Sequence, residues 1–80
     1  MNEKQELTFG QKAVGITFNP SNNDSVNRMK QRYADIIDDL NDMRNDPLTS
    51  AGVKRHCSQA ITEAETAQMR AVKALTWVEV

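Results

Sequence analysis

The sequence predicts an all-α fold: an antiparallel helical hairpin with a short N-terminal leader helix, assembled as a homo-oligomer. Three observations predict it. Val26, Tyr33 and Leu40 repeat every seven residues, as do Met29, Ile36 and Met43, which describes a helix with an apolar a/d seam. Cys57, Ala60, Ala64, Ala67, Ala71 and Ala74 then recur at alternating spacings of three and four, so a second helix carries one face of small side chains. The short connection "RNDPLTSAG" makes these two helices antiparallel neighbours, and the small face lets them approach closely.

The elements follow in chain order within a single hairpin domain over residues 1–80. The leader, residues 1–20, carries Phe9, Val14, Ile16 and Phe18 at mixed spacing with Gly10 and Gly15 as interruptions, which predicts a short helix and then an extended approach. Ser21 and Asp24 fit the S-x-x-[DE] capping box behind Pro20. The first long helix is therefore expected over 21–45, its regular part from about Asn22 to Asn45 and roughly 36 Å long. Asp46 is suited to cap a second helix over 47–78, with Pro47 at its first position and Gly52 weakening its first turn.

Bulk composition limits the function classes. A chain of 80 residues buries only about 60 to 65% of its unfolded surface, so its core is thin and association would help it. A net charge of -1 argues against broad DNA binding but leaves room for a local basic pocket. No apolar run is long enough to span a bilayer, and "MNEKQELTFG" lacks the apolar centre of a signal peptide, so a cytoplasmic protein with no membrane association is expected. With one cysteine, Cys57, there is no intrachain disulfide and no cysteine-based metal site. His56 and Cys57 are adjacent and point about 100° apart on a helix, so they form no nucleophile and base pair. Asp35, Asp38, Asp39 and Asp42 read as a solvated acidic face paired with Lys54, Arg55 and His56, not as a metal site. No enzyme activity and no cofactor are expected.

One cluster resists a bland explanation. Arg28 and Lys30 lie in the opening turns of the first helix, where the macrodipole is already positive, and this invites an anion. Lys30 falls beside Val26, Tyr33 and Ile37 on the apolar stripe; a lone lysine there would ordinarily lay its stem on the core and snorkel. On the second helix Arg70, Lys73 and Trp77 share a face, a cationic strip ending in an aromatic. With Phe18, Asn19, Ser21 and Asn22 they point to one end of the hairpin, a set suited to a phosphorylated ligand with a flat base. Met69, Val72 and Thr76 form a second stripe that wants a second partner.

"VGITFNPSNNDSVNRMK" together with "AITEAETAQMRAVKALTW" resembles the phage anti-CBASS protein 2 family, whose helical hairpin domain is shared with the Thoeris inhibitor that sequesters a cyclised ADP-ribose signal. The resemblance runs from about Val14 to Trp77. It implies a non-enzymatic sponge in the cytoplasm of the infected bacterial host: a homohexamer that binds cyclic dinucleotides such as cyclic GMP-AMP, and cyclic trinucleotides, at separate intersubunit sites. By that resemblance Lys30, in "NRMK", matches the ligand-contacting lysine of the long helix, and Phe18 takes the place of the aromatic that stacks on a base. Lys73, in "MRAVKALTW", matches a basic residue of the trinucleotide site, with Thr76 beside it.

The expected ligand-binding residues are thus Phe18, Asn19, Ser21, Lys30, Arg70, Lys73, Thr76 and Trp77. The rival readings are a structural coiled-coil oligomerisation module, which leaves Phe18, Lys30 and the Arg70–Lys73–Trp77 strip unexplained, and a sponge for a cyclised ADP-ribose. A small transcription regulator is disfavoured because the basic residues do not continue along one exposed helix. If Lys30 only contacts ligand, Lys30→Ala removes like charge from a helix start and should leave the free protein as stable as before, or slightly more so.

Overall fold

The computed structural model describes residues 6–79, so Met1 to Gln5 of the leader and Val80 lie outside the described residues. Within that range the chain is all-helical, with three helices and no strand: α1 (Phe9–Val14), α2 (Asp24–Asn45) and α3 (Ala51–Leu75).

Helix α1 begins on a capping box. The Thr8 hydroxyl accepts from the Gln11 amide at 3.0 Å, and the Gln11 side chain accepts from the Thr8 amide at 3.0 Å. It ends at Gly15, whose φ of 63° is left-handed, with the Gly15 amide on the Lys12 carbonyl and the Ile16 amide on the Gln11 carbonyl. Six residues are too few to be stable alone, so tertiary packing holds α1 in place. At Gly10 an added Cβ would lie 2.1 Å from the Ala34 carbonyl oxygen, so the absent side chain is what lets α1 press against α2. The Asp38 carboxylate accepts from the Gly10 amide at 2.7 Å and secures the same contact.

Helix α2 starts two residues later than the expected Ser21–Asp24 box. Asn23 is the N-cap, its side-chain oxygen accepting from the Ser25 amide at 2.8 Å. Asn22, at φ 54°, turns the chain just ahead of it, and the Ser21 hydroxyl donates to Asn19 Oδ1 instead of capping the helix. The start of α3 also differs from expectation. Asp46 closes α2 and its carboxylate accepts from the Leu48 amide at 2.9 Å, which places Pro47 in the reversal rather than in a helix. Ser50 then caps α3 through the Val53 amide. The Lys54 ammonium, expected opposite the aspartates, donates to the carbonyls of Arg44 and Asp46 at 2.6 and 3.2 Å and staples the reversal.

The Cα trace measures 49 × 42 × 12 Å, so the helices lie in a single layer. Val14, Ala34, Ile37 and Ile61 form the core, with Ala13, Ile16, Tyr33, Leu40 and Ala64 packed around it. The buried line of α2 is Val26, Lys30, Ala34 and Ile37, which shares only Val26 with the two predicted heptad rows. Tyr33 and Leu40 are half-buried, but Ile36 and Met43 are about half exposed, at 51% and 48%. The reason is α1: α2 meets both α1 and α3, and the centre of its buried face shifts between them. On α3 the buried residues are Cys57, Ile61 and Gln68, which leaves Ala67 and Ala74 of the expected seam in solvent.

Candidate functional site

The segment joining α1 to α2 is short of regular structure, and its carbonyls need partners. Lys30 serves two of them. Its side chain is buried, 5% exposed, and Nζ donates to the Gly15 carbonyl at 2.9 Å and to the Phe18 carbonyl. The ammonium also lies 5.7 Å from the centre of the Phe18 ring, within cation–π range. Lys30 therefore does not snorkel to water. An ammonium has three hydrogens, so two carbonyls leave one donor and the full positive charge.

That charge lies at a hollow of about 220 Å³ lined by Phe18, Asn19, Pro20, Ser21, Val26, Lys30, Val72 and Thr76. Val26 and Val72 supply apolar wall, and the Phe18 ring, 70% exposed, stands beside it. Asn19 orders the rim: its amide nitrogen donates to the Asn23 carbonyl at 3.0 Å and to Asn27 Oδ1 at 3.1 Å, and its oxygen accepts from Ser21 Oγ at 2.7 Å.

A second hollow of about 460 Å³ is formed by Arg70, Lys73, Ala74 and Trp77. The Trp77 ring is 60% exposed, and its indole N–H donates to the Glu79 carboxylate at 2.6 Å. The predicted residues thus separate into two groups: Phe18, Asn19, Ser21, Lys30 and Thr76 line one hollow, and Arg70, Lys73 and Trp77 line the other. Thr76, expected beside Lys73, falls with Lys30. The Met69–Val72–Thr76 stripe divides likewise, with Val72 and Thr76 lining the first hollow and Met69 exposed beside Arg70 and Lys73.

Sequence reasoning missed Pro20, Val26 and Val72 as walls of the first hollow, because apolar residues at helical spacing signal core and not a site. It also passed over Arg32, which with Arg28, Ser25, Met29 and Leu75 lines a third hollow of about 220 Å³. The spacing of Arg28 and Arg32, i and i+4, was the available signal. Among the described residues no three His, Cys, Asp or Glu side chains gather to hold a metal ion, and no helix is long and apolar enough to cross a membrane.

A single layer of helices with cations and aromatic rings gathered in hollows defines a small all-α binding domain. The chain belongs to the Acb2/Tad1 hairpin domain family, which it matches over residues 11–76, from within α1 to the end of α3. That family is known as a sponge domain for cyclic nucleotide signals. Neither a curated protein nor a solved structure matches the chain.

Proposed function

We propose that this protein binds and sequesters cyclic dinucleotide immune messengers, cyclic GMP-AMP among them, and so keeps CBASS effectors of a phage-infected bacterium inactive. The observation that carries the reading is the Lys30 ammonium, buried beneath a hollow and beside an exposed aromatic ring. A phosphate takes the remaining Lys30 donor, and a base stacks on Phe18, an interaction of about 1 to 3 kcal/mol per base. The Arg70–Lys73–Trp77 hollow again brings cations and an aromatic side chain to one larger space, which suits a cyclic trinucleotide. The ligand leaves unaltered, because sequestration asks for affinity and not for turnover.

A nanomolar dissociation constant corresponds to about -12 kcal/mol, more than one shallow hollow of a single-layer protein provides. Copies of the chain closing over the ligand supply the rest, in a homohexamer. Ile36, Met43 and Met69, all about half exposed or more, are the apolar residues available to such an assembly.

The test is a calorimetric panel of cyclic GMP-AMP, a cyclic trinucleotide and cyclised ADP-ribose, with the bound fraction released by heat and identified by mass. Tight binding and release of intact cyclic GMP-AMP support the proposal. Binding of cyclised ADP-ribose alone would move the protein to the other branch of its family, and recovery of a linear nucleotide would make it an enzyme.

A further inference from the structure

The hydroxyl hydrogens around the Lys30 hollow are already spent. Ser21 Oγ donates to Asn19 Oδ1 at 2.7 Å, and Thr76 Oγ1 donates to the Val72 carbonyl at 2.8 Å. Both hydrogens of the Asn19 amide are committed as well, to the Asn23 carbonyl and to Asn27. A hydroxyl has a single hydrogen and two lone pairs, so Ser21 and Thr76 meet a ligand as acceptors only. To serve as donors they would have to give up bonds that order the rim and the end of α3. Among the side chains lining this hollow, the donor left over is that of Lys30, and its charge matches phosphate better than a base edge.

We infer that this hollow selects a base whose edge presents hydrogen-bond donors, and that Ser21 and Thr76 determine the choice. The inference rests on the proposed binding of cyclic dinucleotides. Guanine fits, because its ring N–H and its exocyclic amine are adjacent donors on one edge. Hypoxanthine keeps the ring N–H and lacks the amine, so one acceptor of the rim loses its partner when the base enters. Val26 and Val72 wall the hollow beside these acceptors, and an acceptor that a bound base covers without pairing is how an enzyme or receptor rejects a near-identical ligand.

The experiment compares cyclic di-GMP with cyclic di-IMP, which share the sugar–phosphate ring and differ by the 2-amino group alone. Titration calorimetry of the parent protein should show cyclic di-GMP binding about fivefold tighter or more, the equivalent of about 1 kcal/mol. Of Thr76→Val and Ser21→Ala, measured separately, the one that removes the acceptor of the 2-amino group should narrow the ratio, and the other should weaken both ligands alike. Equal affinity of the parent for the two ligands overturns the inference and leaves sequestration standing. A ratio unchanged in both variants overturns the role given to Ser21 and Thr76. Binding of neither ligand by a protein that still binds cyclic GMP-AMP overturns this inference alone, and binding of none of the three removes the functional reading and this inference with it.

Discussion

Lys30 Nζ lies 2.9 Å from the carbonyl oxygen of Gly15, so a lysine in the second turn of α2 holds the left-handed residue that ends α1. One side chain therefore joins two helices and carries charge to the hollow. The expectation that Lys30→Ala would spare the free protein is reversed by this bond, because the carbonyls of Gly15 and Phe18 would lose their shared donor.

Lys30→Met keeps most of the stem and drops the charge. Hydrogen bonds to charged groups contribute about 1.5 to 3 kcal/mol, so urea unfolding should show a loss of roughly 2 to 3 kcal/mol. Unchanged stability would mean that water replaces the ammonium at both carbonyls. Nucleotide affinity should then be measured below the unfolding range, where the fold is intact, and should fall by about tenfold or more.

Phe18→Ala separates binding from folding. The ring is 70% exposed, so its removal should change stability by less than about 1 kcal/mol, chiefly through the lost cation–π contact with Lys30. Loss of base stacking should weaken cyclic dinucleotide binding by about 5- to 150-fold in calorimetry. Undiminished affinity would place the base elsewhere.

Gly10→Ala and Gly52→Ala should have opposite signs. The first puts a methyl 2.1 Å from the Ala34 carbonyl oxygen, a backbone atom that cannot step aside, and should destabilise by roughly 1 to 3 kcal/mol while releasing α1 to early proteolysis. The second meets nothing within 4 Å in the first turn of α3 and should stabilise by about 0.4 to 1 kcal/mol. Thermal unfolding of both variants tests the pair, and a neutral Gly10→Ala would mean that α1 is not pressed onto α2.

Arg70→Ala and Lys73→Ala, both on exposed positions, should leave stability within about 0.5 kcal/mol of the parent. Each should lower cyclic trinucleotide affinity by about tenfold or more, and the dependence of binding on salt should flatten. Cyclic dinucleotide binding at the Lys30 hollow should be unaffected by either change. Parallel losses for both ligands would merge the two hollows into one site.

The sequence by itself determined the helices, the reversal between them and the anomaly at Lys30, because each is a matter of local spacing: apolar period, cap and turn residues, and a cation on an apolar stripe. It also holds the T-x-x-Q capping box that starts α1, at Thr8 and Gln11. Only the tertiary structure decided which face of α2 is buried, since α1 competes with α3 for it and leaves Ile36 and Met43 half exposed. It also decided that Thr76 joins Lys30 while Arg70, Lys73 and Trp77 line a separate hollow. Those outcomes depend on how the α1–α2 connection folds back over α2 and against α3. That path is set by contacts between residues far apart in the chain, such as Lys30 with Gly15 and Gly10 with Ala34, which no local period encodes.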